Sequence, residues 1–304
     1  MKKLFLFLRF FLAFLILFIL SYKLGFASIF KTLSQVSFLY ILPILFLWFI
    51  LFAFSAYNLR ILLNALKVKI RFSKLFRYYL LSWSSGLFLP GKIGELVLIH
   101  FFKKENLKLG QGFAIYFIDK LITVFVLFLI SSIGLLIFFN LNQILIYLVI
   151  FLFIFILFLL FILTSIGRSF IKKYILRNYS SYFEGFSKTL LYFFRFHKKN
   201  LFANLVVTMI KSIISAFAVS LYFLSFNHPI NLFYVLMLDS IITLISFIPL
   251  TLNGLGIRES SAVILYGLLG FNPLIVASAH IFGAILTYFM GFIIFILVKM
   301  EDFF

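Results

Sequence analysis

The chain has 304 residues, of which 65% are hydrophobic and only 12% are charged, and its mean hydropathy is +1.22. A soluble fold cannot bury this much apolar surface, so a soluble protein is excluded and an all-α integral membrane protein is predicted. The formal net charge is +19, but the basic residues lie in short loops between apolar runs, which favours a role in membrane topology over nucleic-acid binding.

The first part of the chain is predicted to hold a helix, a membrane span and a broken apolar stretch. The run 4–20 is compatible with a cleaved signal peptide or an uncleaved first helix, and we favour the uncleaved helix. The second run, 38–57, is long enough to span a bilayer. The third, 78–102, is interrupted at 89–95 by Pro90, two glycines and two ionisable residues, which disfavour a continuous helix in lipid.

The middle of the chain is predicted to contain two clean spans followed by a long basic connection. The spans cover 113–139 and 143–166, and the second has no charged residue. The connection, 167–200, holds eight Lys and Arg residues against one acid, Glu184, with aromatic and aliphatic residues between them. This composition suits either a basic amphipathic helix on the inner leaflet or a solvated loop.

The last third of the chain shows a span, a second broken stretch and a final span. Residues 201–226 and 273–298 have the length and composition of spans. Between them, 231–270 is interrupted at 248–259, where Pro, Gly and charged residues lie close together. We therefore predict about six full spans and two broken stretches.

The distribution of basic residues predicts how the broken stretches lie in the membrane. The loops 58–77 and 167–200 carry six and eight Lys and Arg residues, and both should be cytoplasmic. The two loops lie on the same side of the membrane if 78–102 enters it, turns and returns as a re-entrant hairpin, but not if 78–102 crosses it. The same reasoning makes 231–270 a re-entrant hairpin entered from outside. The prediction is a multi-pass plasma-membrane protein with both termini in the cytoplasm.

The tips of the two broken hairpins resemble each other, which suggests an inverted repeat within a single polytopic domain, 1–304. Pro-Gly-x-x-Gly-Glu at 90–95 corresponds to a Pro followed by Gly-x-Gly-x-x-Glu at 249–259. Paired interruptions of this kind are typical of the midplane site of transporters with inverted repeats. The first repeat would cover about 38–140 and the second about 201–298, on either side of the basic loop.

The charged and glycine residues of the two tips are candidates for a substrate site near the bilayer midplane. Because charge inside a membrane is costly, we expect these groups to pair or to line a polar cavity. Glycine amides and the cations would bind an anion such as a lipid phosphate, with the acids as counter-ions or as ligands of an aminated headgroup. Close helix packing at the glycines and a structural salt bridge are the alternatives. The substrate-binding candidates are Gly91, Lys92, Gly94, Glu95, Gly254, Gly256, Arg258 and Glu259, and the secondary candidates are Asp119, Lys120, Lys211 and Asp239.

The sequence gives no indication of a metal, a cofactor or a catalytic centre. The chain has no Cys, and its four His are not at ligand spacing from one another, so no metal is expected. We find no Ser/His/Asp grouping and no phosphate-binding Gly-Lys-Ser/Thr loop. We therefore expect neither an enzyme nor an ATP-driven pump, although the carboxylates leave some scope for chemistry.

Two stretches resemble the family of lysylphosphatidylglycerol synthase transmembrane regions, also described as flippase-like. They are FLPGKIGEL at 88–96, followed by the pair Asp119-Lys120, and NGLGIRE at 253–259. The resemblance in length and hydropathy extends over nearly the whole chain, but its specific content lies in these two stretches.

The chain departs from the pattern of that family at several positions. The family usually has Arg where Lys92 stands and Glu-Arg in place of the Asp-Lys pair, and these changes keep the sign of the charge. It often has Arg where Leu98 stands, and a second Pro where Thr251 or Leu252 stands. The change at Leu98 puts a headgroup-binding role at that position in doubt.

The resemblance implies a translocator of a lipid or of a lipid-linked headgroup. The best understood members of the family join such a region to a cytosolic aminoacyl-transferase domain, for which there is no room after the last span at 273–298. We therefore expect a stand-alone module whose partner is a membrane phospholipid or a polyprenyl-linked lipid. The alternatives are an accessory of a lipid-modifying aminoacyl or glycosyl transferase system, acting with a separate transferase, and a structural scaffold.

Overall fold

A computed structural model of the chain describes residues 2–88, 96–138, 183–248 and 250–301, with isolated positions between 149 and 174. These residues are mostly helical, and no strand occurs among them. The tip 89–95 and most of the predicted span 143–166 lie outside the described residues. The helices are α1 (Lys2–Leu24), α2 (Phe26–Leu33), α3 (Ile41–Ala65), α4 (Phe72–Phe88), α5 (Val97–Lys104), α6 (Leu109–Phe138), α7 (Phe186–Phe196), α8 (Lys198–Leu224), α9 (Leu232–Ser246), α10 (Ile257–Leu268) and α11 (Pro273–Glu301).

Four of the described helical segments are long and apolar enough to cross a membrane. They are Phe38–Ala65, Leu109–Phe138, Lys198–Leu224 and Pro273–Val298. A fifth is formed if α1 and α2 are one span, bent by 93° at Gly25, whose φ of +85° is a conformation that glycine adopts without strain. The chain is therefore a multi-pass membrane protein, whereas six full spans, the inverted repeat and the position of the termini stay predictions.

The surface of these helices carries large apolar side chains. Phe30 is 76% exposed, Phe14 is 62% exposed and Leu39 is 77% exposed. Such a surface would cause aggregation in water, but it is the exterior that a bilayer requires. These exposed phenylalanines are therefore suited to contact with lipid.

The second broken stretch folds into a helical hairpin. Its first arm, α9, ends at Ser246, and its second arm, α10, begins at Ile257. At the tip, Gly254 packs against Ser246, and at the open end the rings of Tyr234 and Phe271 lie 5.7 Å apart. The arms of 15 and 12 residues are about 22 and 18 Å long, shorter than the roughly 30 Å of hydrocarbon. These lengths agree with the predicted hairpin, and its entry side stays a prediction.

Contacts within the chain divide it into two compact units. The first unit comprises Met1–Ser55, Phe76–Val97 and Ile210–Phe304, and the second comprises Ala56–Leu75 and Leu98–Met209. The first unit contains the hairpin α9–α10. In this unit Gly256, at the start of α10, packs against α1, and Gly291 of α11 packs against Leu87 at the end of α4.

The second unit contains α6 and the short basic helix α7. Phe113 of α6 stacks on Phe183 at a ring distance of 4.5 Å, and Phe117 contacts Phe186. The apolar face of α7 is thus buried in the unit, while its Lys188 remains exposed. An amphipathic helix was one of the two interpretations of the connection 167–200, and its place on the inner leaflet stays a prediction.

Candidate functional site

An ion pair joins the two arms of the hairpin. Arg258, in the first turn of α10, donates from Nη2 to Oδ2 of Asp239 on α9 at 3.1 Å. The Asp239 side chain is only 7% exposed, whereas that of Arg258 is 39% exposed. Arg258 therefore has a buried partner while its side chain stays partly accessible, which is what a cation that binds an incoming anion needs.

Glu259 caps the helix that carries Arg258. Its Oε2 accepts a hydrogen bond of 2.6 Å from the backbone N–H of Gly256, and the residue is 2% exposed. A carboxylate at this position satisfies an N–H group that the first turn of a helix leaves without a partner, and it is favoured by the helix dipole. Glu259 thus fixes the start of α10 and the position of its neighbour Arg258.

The tip glycines Gly254 and Gly256 are needed for close packing. Both have φ above +80°, and a Cβ atom at Gly254 would lie 2.7 Å from the Cβ of Ser246. A Cβ atom at Gly256 would lie 2.8 Å from the backbone oxygen of Ala13. The Gly256 amide already donates to Glu259. The helix-packing interpretation therefore fits Gly256 better than the expected amide ligand for an anion.

A small polar cavity lies beside the tip of the hairpin. It has a volume of about 40 Å³, enough for about three water molecules. Arg258 and Glu259 line it from α10, and polar side chains from other helices complete its wall, namely Tyr222 of α8, Asn253 of the tip, and His280 and Thr287 of α11. The cavity therefore offers a guanidinium, a carboxylate and neutral hydrogen-bonding groups to a small polar ligand.

A larger apolar cavity adjoins the polar one. Its volume is about 370 Å³, within the usual range for ligand pockets, and its walls come from α1, α10, α11 and the end of α4. Leu255, Glu259 and Ala284 line both cavities. The apolar wall includes Phe10, Phe14, Leu87, Ile281 and Tyr288. The two cavities together form an amphipathic site with a charged end and a hydrocarbon end.

Several buried polar atoms around this site have no hydrogen-bond partner in the part of the chain that the structure describes. They include Oδ1 of Asp239, the hydroxyl of Tyr266 and Nε2 of His280. The rings of Tyr266 and His280 lie 5.9 Å apart, and both residues are at most 4% exposed. Buried polar atoms of this kind usually bind water or a ligand.

Sequence reasoning missed His280, Tyr222 and Thr287 as residues of this site. A signal was present for His280, because an ionisable residue inside a membrane span is by default a functional candidate. Within the described residues, no three His, Cys, Asp or Glu side chains are grouped as metal ligands.

The other predicted site residues are distributed as follows. Gly91, Lys92, Gly94 and Glu95 lie outside the described residues, so their place in a site stays a prediction. Asp119 and Lys120 belong to the second unit and point to different sides of α6. Asp119 faces Asn204, whereas Nζ of Lys120 lies 5.3 Å from the ring centroid of Tyr116. Lys211 is half-buried on α8 and does not line either cavity.

Comparison with known proteins identifies a family for this chain. The family model described as the lysylphosphatidylglycerol synthase TM region matches residues 6–294, nearly the whole length. A comparison with curated proteins finds no match. Because the match includes α1 and most of α11 as well as both motif stretches, it does not depend on the tips alone. The chain belongs to the family of lysylphosphatidylglycerol synthase transmembrane regions.

Proposed function

We propose that this protein moves a lipid with an anionic headgroup between the two leaflets of its membrane. The observation that carries the proposal is that the two cavities of the first unit are neighbours with three shared lining residues, and that one has a guanidinium in its wall while the other is apolar. A phospholipid combines the same two chemistries in one molecule. Membership of a family that is described as the membrane region of a lipid synthase supports a lipid ligand.

The polar cavity would bind the headgroup phosphate through Arg258. In the empty site, the carboxylate of Asp239 neutralises this guanidinium at 3.1 Å. An incoming phosphate can accept from the remaining N–H groups of the fork, so that Arg258 is charge-balanced with and without ligand. Because the cavity has room for only about three water molecules, the hairpin tip must move to admit a whole headgroup.

The apolar cavity would hold part of an acyl or polyprenyl chain. Phe10 and Phe14 of α1 form one wall, and Ile281 and Tyr288 of α11 form another. Burial of each CH₂ group contributes about 0.8 kcal/mol relative to water, but much less relative to the bilayer from which the lipid comes. The chain contacts would therefore orient the lipid, while the phosphate contact would supply most of the selectivity.

The test is reconstitution of the purified protein into vesicles that contain a trace of fluorescent anionic phospholipid. Chemical quenching from outside reports how fast inner-leaflet lipid becomes accessible. We expect Arg258→Ala to lower this rate about tenfold or more, because a charge-assisted hydrogen bond contributes about 1.5–3 kcal/mol. Arg258→Lys should retain part of the rate, since it keeps the charge and loses the fork.

Arg195→Ala is the matched control, because Arg195 is an exposed arginine of α7, outside both cavities. It should move lipid at the wild-type rate. A wild-type rate in a folded Arg258→Ala variant would contradict the proposed site. The predicted first tip is tested in the same assay by Lys92→Ala and Glu95→Gln, which should also lower the rate.

The accessory role in a lipid-modifying transferase system is the second candidate, because the family is described as part of a synthase. It predicts a different outcome of the same experiment. The wild-type protein would bind anionic lipid through Arg258 but would not accelerate its movement unless a transferase were also present.

A further inference from the structure

A second group of buried polar side chains lies in the second unit, on α3, α6 and α8. Asn58, Asn204 and Thr208 are at most 2% exposed, and Asp119 is 9% exposed. The side-chain nitrogen Nδ2 of Asn58 lies 2.9 Å from Oγ1 of Thr208. The Nδ2 of Asn204 lies 3.3 Å from the backbone oxygen of Asn58 and 3.4 Å from Oδ1 of Asp119. These contacts make one connected network, and none of its members lines the lipid cavities.

The orientation of the Asn58 amide follows from the protons available. Thr208 has one hydroxyl proton and donates it to the backbone oxygen of Asn204 at 2.8 Å. Its Oγ1 can therefore only accept from Asn58, which requires the amide nitrogen on that side. The Oδ1 of Asn58 consequently lies on the other side of the amide. It is buried and has no hydrogen-bond partner in the described part of the chain.

The orientation of the Asn204 amide is fixed in the same way. Its Nδ2 lies between two oxygens, the backbone oxygen of Asn58 and the carboxylate of Asp119. A flipped amide would place oxygen against both of these oxygens, so only the observed orientation makes hydrogen bonds. The Oδ1 of Asn204 is then also buried, and no donor for it occurs among the described residues.

The network therefore has more acceptors than donors. Two amide oxygens have no described donor, and the Asp119 carboxylate has one long hydrogen bond, from Asn204. Buried oxygens without donors and a buried carboxylate are unfavourable unless something positive satisfies them. A carboxylate with amide carbonyl oxygens is the ligand set that hard metal cations prefer. A single carboxylate balances one positive charge, which favours a monovalent cation over a divalent one.

We propose that Asp119, with the side-chain carbonyl oxygens of Asn58 and Asn204, binds a monovalent metal cation of the Na⁺ type. The bound cation would join helices α3, α6 and α8 within the second unit. Thr208 is a positioning residue, since it orients the Asn58 amide. The site uses no residue of the lipid cavities, so it does not depend on the proposed function.

The test is thermal unfolding of the purified protein in lipid nanodiscs, in NaCl and in choline chloride at the same ionic strength. A cation that binds only the folded state raises the Tm by a similar step for each tenfold rise in its concentration above Kd. We therefore expect the Tm to rise with NaCl and not with choline chloride. Equal effects of the two salts would overturn the proposal, because they would indicate charge screening or a network filled by water.

Two variants locate the effect. Asp119→Asn keeps the size of the side chain and removes its charge, so the difference between NaCl and choline chloride should disappear. Asn200→Ala is the matched control, because Asn200 lies one turn before Asn204 on α8 and donates instead to the backbone oxygen of Ile61. It should keep the Na⁺ effect. Retention of the effect in Asp119→Asn would overturn the assignment. If that variant does not fold, Asn58→Ser provides the same test, and the wild-type salt series still decides whether Na⁺ binds.

Discussion

Two buried carboxylates, one in each unit, are balanced in different ways. Asp239 in the first unit accepts from the guanidinium of Arg258 at 3.1 Å, a cation supplied by the neighbouring arm of the hairpin. Asp119 in the second unit accepts from the neutral amide of Asn204 at 3.4 Å. Both are less than 10% exposed. They therefore have similar burial, but only Asp239 has an internal counter-ion among the described residues.

This difference determines which kind of ligand can bind beside each carboxylate. At Asp239 the charge is already neutralised, and the exposed part of Arg258 remains available to an anion. At Asp119 the one described donor is the neutral amide of Asn204, and the same network holds two buried amide oxygens without donors, so a cation is the ligand that completes it. Burial of a carboxylate alone does not identify a ligand, because the neighbouring donors and acceptors determine the sign of the charge that is missing.

The largest difference in the free energy of unfolding should be seen when each of the two carboxylates is removed in turn. Asp239→Ala leaves a half-buried guanidinium unpaired and should lower the free energy of unfolding by about 2–3 kcal/mol, less than for a fully buried pair because Arg258 is partly exposed. Asp119→Ala, measured without Na⁺, should cost about 1 kcal/mol or less, because the loss of one long hydrogen bond is offset by the removal of a buried carboxylate that has no counter-ion among the described residues. Equilibrium unfolding followed by the fluorescence of Trp48 and Trp83 measures both. Equal losses would contradict the comparison.

The next effect concerns the close packing beside the polar cavity of the first unit. A Cβ atom at Gly283 would lie 2.6 Å from the ring of Tyr222, so Gly283→Ala should destabilise the protein by about 1–3 kcal/mol. Gly267→Ala is the control, since nothing lies within 4 Å of the added Cβ atom, and helix propensity should stabilise that variant by up to about 1 kcal/mol. Opposite shifts in Tm are expected. Shifts of the same sign would show that Tyr222 can move aside.

A smaller loss of stability is expected for a variant that tests the network of the second unit. Thr208→Val keeps the shape of the side chain and removes the acceptor of Asn58 Nδ2, and a buried donor without a partner costs about 1–2 kcal/mol. In the matched variant Thr123→Val, the hydroxyl that is lost bonds only to the preceding turn of its own helix, at the Asp119 backbone oxygen. We expect its Tm to change by less than that of Thr208→Val. Thr208→Val should also weaken the response to Na⁺, which a purely structural role would leave unchanged.

The smallest effect should come from the start of the helix that carries Asp239. The side chain of Asn231 accepts from the N–H of Phe233 at 2.9 Å and caps α9. Asn231→Ala should cost about 1 kcal/mol. Because the ion pair with Arg258 lies about two turns further along, the lipid rate should stay at the wild-type value. A fall in that rate at unchanged Tm would indicate that the start of α9 takes part in transport.

The second broken stretch was predictable because backbone chemistry is local. Proline, glycine and several charged residues in one short run cannot continue a helix in lipid, and α9 and α10 are separated at that run. Arg258 and Glu259 were found for the same reason. Asp239 was predicted only as one of the secondary candidates, because it lies inside an apolar helix 19 residues before Arg258, and nothing local indicates that the two side chains meet.

The roles of individual side chains were less predictable. Glu259 was expected as a counter-ion in the substrate site, and the structure shows it accepting from the amide of Gly256, while it also lines both cavities. His280 and Tyr222 lie in apolar spans, where their sequence neighbours suggest only lipid contact. Asn58 and Asn204 were not predicted, because Asn58 lies in the predicted loop 58–77 and the neutral amide of Asn204 is not costly in a span as a charge would be.

The sequence by itself determined that this is a helical membrane protein of a particular family, with a break at the tip of α9–α10. These conclusions depend on overall composition and on short stretches of sequence, so they can be reached without the tertiary structure. The tertiary structure alone decided that Arg258 pairs with Asp239, that a charged cavity adjoins an apolar one, and that Asp119 joins a buried network with Asn58, Asn204 and Thr208. These features depend on side chains far apart in the chain, and the packing of helices brings them to within about 3–4 Å of each other.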